Sequence, residues 1–277
     1  MHKSSLNYPD FKKYNTFPKI LKYRSDITPN DIALRDKDLG IWNETSWKDY
    51  NQQVSELAIG LNSIGFRKGD VMALIGDNKP SWVFFEIAAQ ANGGMSLGVY
   101  RDTLDEEVSY LVKGANVNFA FAEDQEQVDK FINIQKKLKR RIKIFYEDGR
   151  GLRQLKDSNI VDMKILMEKG RNILKKSPKK YDDMINNIEG HLDAILCTTS
   201  GTTSNPKLAT LPANKFIQHI ANYLKVDPKN STDEYVSVLP FPWIMEQDYG
   251  VGFLKVSTDE DYLDQVVKHL RKRGARK

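Results

Sequence analysis

From Asp70 to Tyr146 the chain alternates strand-length apolar runs with helix-length amphipathic segments, and few architectures accept that order. Val71–Gly76 is a continuous apolar run of strand length. Pro80–Ala91 follows as a helix in which Trp82, Phe85, Ile87, Ala88 and Ala89 supply a broad apolar surface. Met95–Val99 reads as the next strand, and Thr103 with Glu106 three residues on is a capping-box pattern that opens a helix. Val117–Ala122 and Ile142–Phe145 are two further strands, with Gln125–Lys139 as the helix between them. Such alternation predicts an α/β fold, a parallel sheet flanked by helices. Sheets of that kind bind ligands outside the carboxyl ends of their strands.

The flanking segments are equally regular. Ala33–Asp36 and Trp42–Thr45 read as a hairpin with Lys37-Asp38-Leu39-Gly40 as its turn. Ser46 is a good helix N-cap with Asp49 three residues on, and Val54, Leu57, Ala58, Leu61 and Ile64 recur at helical spacing up to Gly65. Downstream, Asp193–Cys197 reads as a buried strand, and Asn214–Leu224 as a helix with Phe216, Ile217, Ile220 and Leu224 on one stripe. Tyr235–Gln247 reads as a strand closed by Pro240 and Pro242.

After the Asp193–Cys197 strand comes Thr198-Thr199-Ser200-Gly201-Thr202-Thr203-Ser204-Asn205-Pro206-Lys207. This is expected to be an exposed connection. Hydroxyls and free backbone N–H groups on a glycine-bearing turn can wrap a polyphosphate, and a lysine can neutralise it. Clusters of this composition are also ordinary turn chemistry. The string is not a Walker A loop, because Gly-x-x-x-x-Gly-Lys-Ser/Thr is absent from the chain.

The order Thr-Ser-Gly-Thr-Thr-x-x-Pro-Lys resembles the signature of the AMP-forming adenylating enzymes, among them the acyl-CoA synthetases. Thr199, Ser200, Gly201, Thr202, Thr203, Pro206 and Lys207 match it, while Ser204 and Leu208 stand where that family usually has glycine. A serine at 204 costs about 1 kcal/mol if the position needs a positive φ. A leucine at 208 would block any close backbone approach that a glycine allows.

Two further stretches resemble the same family. Leu239-Pro240-Phe241-Pro242-Trp243-Ile244-Met245-Glu246 is similar to the Leu-Pro-Leu-x-x-x-x-Glu segment of long-chain fatty acyl-CoA synthetases, and Gly65 to Asp70 to their Gly-x-x-x-Gly-Asp. The likeness runs from about Phe17 to about Gly250.

The resemblance implies the amino-terminal portion of the acyl-CoA synthetase-like fold and a long-chain fatty acid–CoA ligase. ATP, Mg2+ and CoA would be its small-molecule requirements. It implies phosphate contacts from Thr199, Ser200, Gly201, Thr202, Thr203 and Lys207, with the Thr203 hydroxyl on the metal. Trp243 and Glu246 would lie beside the acyl pocket, with Trp243 either at its mouth or simply in the core. The family's Tyr-Gly-x-Thr-Glu motif, ribose-binding aspartate and lid lysine have no counterpart in residues 208–277, so no catalytic residue is assigned. The expectation is a truncated or split ligase spanning residues 1–256, with 257–277 as a basic tail, helical from Ser257 or Thr258, or disordered. Such a chain alone would make little acyl-CoA. The alternatives are a non-catalytic nucleotide-binding remnant and one half of a two-chain enzyme, whose partner would be a separate chain.

Composition narrows the setting. Hydrophobic residues make up 40% of 277, and no run of 18 apolar residues suggests a membrane-spanning helix. The first residues lack an apolar signal-peptide core, and a lone Cys197 suits a reducing compartment, so a cytoplasmic protein is expected. Cys197 reads as a small buried residue rather than a catalytic thiol, and His219 as a surface or boundary residue. Residues 268–277 carry six basic side chains and no acid, so without them the net +5 becomes −1. This block, and Lys136–Lys143, are either solvated faces or an attraction to an anionic membrane surface. No aromatic interleaving or nucleic-acid motif accompanies them, so no nucleic acid is expected.

Overall fold

In a computed structural model of the chain, residues 8–199, 206–229, 233–244, 246 and 255–257 are described. The chain enters through helix α1 (Phe17–Ile27) and a hairpin of β1 (Ile32–Asp38) and β2 (Ile41–Ser46). Leu39 and Gly40 join the strands at φ 48° and 82°. Two successive positive φ values are the signature of a type I′ hairpin, so the strands run closer to the turn than the sequence suggests. Helix α2 (Trp47–Ser63) starts as expected. The Ser46 hydroxyl accepts from the Asp49 backbone N–H at 3.1 Å and donates to the Asp49 carboxylate at 2.6 Å.

The alternating region then forms β3 (Val71–Ile75), α3 (Pro80–Gln90), β4 (Met95–Val99), α4 (Asp105–Gly114), β5 (Phe119–Ala122), α5 (Gln125–Leu138) and β6 (Lys143–Tyr146). All pairings among these strands are parallel, as predicted. The Thr103 cap is not formed. The Thr103 N–H closes a turn onto the Tyr100 carbonyl, and the helix starts one residue later from Leu104 with no side-chain cap. Asp105, Glu106 and Glu107 crowd the first turn instead, where carboxylates complement the helix dipole.

Beyond β6 come β7 (Ile160–Asp162), α6 (Met163–Lys176), α7 (Lys180–Asn186), β8 (Asp193–Thr199), β9 (Lys207–Pro212), α8 (Ala213–Val226), β10 (Glu234–Val236) and β11 (Lys255–Ser257). Among the described residues the main sheet has seven strands in the order β7-β6-β5-β3-β4-β8-β9, with only the β8–β9 pair antiparallel. A second sheet, β10-β11-β1-β2, includes the hairpin. Ser257 ends β11 opposite Arg35, while residues 258–277 lie outside the described ones. The expected long strand from Tyr235 stops at Val236, and the polar groups that follow bond to side chains instead: Asn78 takes the Ser237 hydroxyl and the Leu239 carbonyl, and Glu246 takes the Leu239 N–H.

The sheet is buried on both faces, and its residues alternate accordingly. Met72, Leu74, Phe119, Phe121 and Phe145 face α3, with Phe85 stacked on Phe121 and Phe145 at 4.6 and 5.6 Å. Val71, Ala73, Ile75, Ala120 and Ile144 face α4 and α5. Helix α3 is buried from Ser81 through Gln90, so it needs a cover of its own. Helix α2 supplies it, and α6 crosses α2 at near backbone contact. A Cβ on Gly170 would lie 1.8 Å from the Glu56 carbonyl oxygen, and one on Gly60 would lie 2.5 Å from that of Leu166. Beside the crossing, the Arg171 guanidinium meets the buried Glu56 carboxylate with two bonds of 2.8 and 2.9 Å.

A further buried carboxyl lies between α3 and the sheet. Glu86 of α3 accepts from the Ser96 hydroxyl of β4 at 2.7 Å, and burial pushes it up to about 7. The folded state therefore keeps a proton that the unfolded chain releases above its ordinary value. Stability should fall as pH rises through the window from about 4.5 to about 7.

Two outcomes are expected. Gly170→Ala should cost about 3 kcal/mol in denaturant unfolding, because the α2 backbone at Glu56 and Gly60 already occupies the space of the added methyl. Glu86→Gln should raise stability relative to the parent by roughly 3 kcal/mol at pH 8 and leave it unchanged near pH 4. A constant difference across that range would refute the proton linkage.

Candidate active site

The carboxyl edge of the main sheet gathers the polar chemistry. Strand β8 reaches it beside β4, with Ser96 opposite Ile195 and Leu97 opposite Leu196. Strand β9 returns antiparallel, pairing Thr198 with Leu208 and Thr199 with Lys207. The expected connection is therefore shorter than Thr198–Lys207: Thr198 and Thr199 close one strand and Lys207 opens the other. Thr199 and Lys207 are exposed, and the Thr199 hydroxyl donates to the Lys207 carbonyl at 3.4 Å. Ser200, Gly201, Thr202, Thr203 and Ser204 lie outside the described residues.

Strand alternation sorts these side chains between two faces. Gly98 faces α3, since a Cβ there would meet Trp82 at 3.3 Å. Cys197 continues that face on β8, and Thr199 and its partner Lys207 follow it. Thr198 and Leu208 take the opposite face, where Leu208 packs 3.5 Å from the Cβ position of Gly114 at the end of α4. Leucine at 208 thus turns its side chain to the α4 side, on the face opposite Thr199 and Lys207. Cys197 is half-buried, its Sγ directed at the Ala209 carbonyl, and burial raises its thiol above the ordinary range. Its neutral form suits a packing role. His219 is exposed on α8.

The segment after β10 folds over the ends of β3 and β4. The Asn78 amide, in the turn from β3 to α3, donates to the Ser237 hydroxyl and to the Leu239 carbonyl, both at 2.7 Å. Its oxygen accepts from the Phe241 N–H at 3.1 Å. The Phe241 ring lies 5.0 Å from Trp82, and Pro242 rests against Gly98, its Cα 2.8 Å from where a Cβ would be. Trp243 follows at 48% exposure, which removes it from the core. Glu246 is fully buried and ties the segment to itself, accepting from the Tyr235 hydroxyl at 2.6 Å and the Leu239 N–H at 3.2 Å. Burial raises its carboxyl above the usual range.

An ionic network continues along the same edge. Arg101, after β4, pairs with Asp77 after β3 and at 3.2 Å with Asp124 after β5. Lys79 pairs with Glu123 at 2.8 Å, and Glu123 also accepts from the Asp77 N–H at 2.6 Å. Ser81 donates to Glu147, after β6, at 2.7 Å. Burial, and then the neighbouring Glu123, raise Asp77. Sequence reasoning passed over these residues and Asn78. The available signal was that each of these strands is followed within two residues by a charged one. Among the described residues, no three His, Cys, Asp or Glu side chains group to hold a metal ion. A cleft of about 620 Å³ opens between β1, α3 and α6, and none of its lining residues belongs to β8, β9 or residues 237–246.

These features place the chain among known proteins. Its sequence is similar to long-chain-fatty-acid–CoA ligase ACSBG1 of Bos taurus, 27% identical over 223 residues, covering 78% of this chain and 30% of that protein. Human long-chain-fatty-acid–CoA ligase ACSBG2 is 25% identical over 254 residues, covering 89% of this chain and 35% of that protein. The chain thus spans about a third of the length of these curated relatives. Among solved structures, VinN superposes with a TM-score of 0.69 at 15% identity, over 94% of this chain and 59% of VinN. The luciferase-like enzyme from the nonluminescent Zophobas morio mealworm gives 0.70 at 15% identity, over 97% of this chain and 60% of that enzyme. The Klebsiella oxytoca NpsA N-terminal subdomain gives 0.65 at 14% identity, over 92% and 57%. These likenesses establish the fold, the amino-terminal part of the adenylating-enzyme architecture. The AMP-binding enzyme family profile matches residues 21–255, most of the chain, and the chain belongs to that family.

Proposed function

We propose that this chain is the ATP- and acyl-handling amino-terminal part of a long-chain fatty acid–CoA ligase of the AMP-forming type. The observation that carries the reading is the string from Thr199 to Lys207, whose two ends the β8–β9 ladder sets opposite each other at the carboxyl edge of the sheet. In the reaction, a fatty carboxylate oxygen attacks the α-phosphorus of ATP, pyrophosphate leaves and acyl-AMP forms. The CoA thiol then attacks the acyl carbon and AMP leaves.

The hydroxyls and amides of Thr199, Ser200, Gly201, Thr202 and Thr203 would bond the β- and γ-phosphates, and Lys207 would add a positive charge. These are positioning and electrostatic roles. Mg2+, when bound, would offset phosphate charge. It would be held mostly by the phosphates themselves and the Thr203 hydroxyl. Trp243 would form the outer wall for the acyl chain, with Glu246 keeping its turn folded. Residues 1–256 would make up this unit, and the basic residues of 257–277 would meet an anionic membrane surface, which suits a fatty substrate. No described helix is long and apolar enough to cross a membrane.

Ser204, where the family's usual loop has glycine, favours a second reading. In it the module holds nucleotide without completing turnover, as a remnant or as half of a two-chain enzyme.

Calorimetric titration with ATP and Mg2+ tests the phosphate site. The parent should bind, Lys207→Ala should weaken binding about tenfold, and Thr202→Ala about fivefold. Equal affinity for all three would remove the loop from the site. With palmitate and CoA added, the 277-residue chain should release little acyl-CoA. Activity regained with a separately expressed carboxy-terminal half would favour the two-chain form, and turnover near that of an intact synthetase by the chain alone would sink the second reading.

A further inference from the structure

We infer that Asn78 is a positioning residue for the acyl side of the site: through the 237–243 turn it fixes where Trp243 stands relative to Thr199 and Lys207. The inference rests on the function proposed above and goes one residue beyond it, to a side chain bonded to Ser237, Leu239 and Phe241.

The geometry is specific to an amide. Asn78 uses one nitrogen to donate twice and one oxygen to accept once, engaging the Ser237 hydroxyl, the Leu239 carbonyl and the Phe241 N–H together. Aspartate keeps the acceptor but loses both donors, and alanine loses all three. The segment it captures has little regular structure of its own. Strand β10 ends at Val236, and the Trp243 N–H bonds back to the Pro240 carbonyl at 2.8 Å in a tight turn. Pro240 and Pro242 lack N–H groups, so tertiary partners must hold this stretch in place.

Two apolar contacts complete the seat, Phe241 on Trp82 and Pro242 on Gly98. Gly98 is the key to direction. It lies on β4 on the face that Cys197, Thr199 and Lys207 share across the β4–β8 pairing. The clamp therefore carries the turn from the end of β3, across β4, toward the face where the β8–β9 connection begins. Trp243, left half-exposed by this seating, is the side chain whose position the clamp controls. Gly98 gives a second handle, because an added methyl would press on the Pro242 backbone and on the edge of the Trp82 ring rather than on the amide bonds.

The test uses the 277-residue chain, its Asn78→Ala and Asn78→Asp variants, and Gly98→Ala. Hydrogen exchange over 237–246 is measured beside the affinities for palmitate and for ATP with Mg2+. Asn78→Ala should speed exchange there at least tenfold and weaken palmitate about tenfold, with ATP affinity within twofold of the parent. Asn78→Asp should fall between parent and alanine. Gly98→Ala should alter the preference among fatty acids of different length with ATP affinity kept, and it stands in if Asn78→Ala does not fold. Unchanged exchange over 237–246, equal losses for palmitate and ATP, or a fully parental Asn78→Asp would each overturn the inference. Faster exchange in a chain whose parent binds ATP but no fatty acid would count against the proposed substrate and leave the clamp standing.

Discussion

The structure depends on the burial of helix α3. Every residue from Ser81 to Gln90 is withdrawn from solvent, including Trp82, Phe84, Phe85 and Ile87. Each such side chain contributes about 1.5–3 kcal/mol when fully buried. A helix apolar on all sides needs two partners, and here they are the sheet beneath and α2 above. The cover in turn needs a tight fit, which Gly60 and Gly170 permit by letting α2 and α6 touch at backbone distance. The same burial sets the carboxyl edge of the sheet. Pro80 starts α3 immediately after the β3 turn, so Asp77, Asn78 and Lys79 are held at the mouth of the sheet.

Polar groups on this frame divide by depth. Deep inside, Gln90 and Ser96 donate both to the Glu86 carboxyl and to the Ala194 carbonyl, joining α3, β4 and β8. That network steadies the strand leading to the hydroxyl-rich connection, at the cost of a carboxyl that holds its proton to about pH 7. At the edge, Arg101 and Lys79 offset the carboxylates that follow β3 and β5. This part of the edge is satisfied by its own partners. Lys207, at the start of β9, and the half-exposed Trp243 are not part of this ionic network.

Local physics was readable wherever partners lie close in sequence. Ser46 and Asp49 cap α2 because three residues of spacing decide that geometry. The parallel sheet followed from its period, since strands buried on both faces have to be continuously apolar. Thr103 shows the limit. A competing turn onto Tyr100 moved the helix start by one residue and broke an otherwise correct pattern. Helix α6 shows another limit, because the α2 surface it crosses is marked by glycine, which gives no hydrophobic signal.

For the site, the sequence by itself determined the chemistry on offer: a strand, a run of hydroxyls about one glycine, and a lysine, in an order rare enough to indicate the family. It also determined the alternation that makes the sheet. Tertiary structure decided which face each residue serves. Leu208 turns to α4 because register with Thr198 puts it there, and Glu246 turns inward because its own segment folds back on it. Asn78 became visible only when residues 159 to 163 positions away in the chain closed on it. The reason is physical. Composition and period report on backbone dihedrals and burial within a few residues, whereas a clamp between distant loops exists only after the sheet has brought its strand ends to one edge.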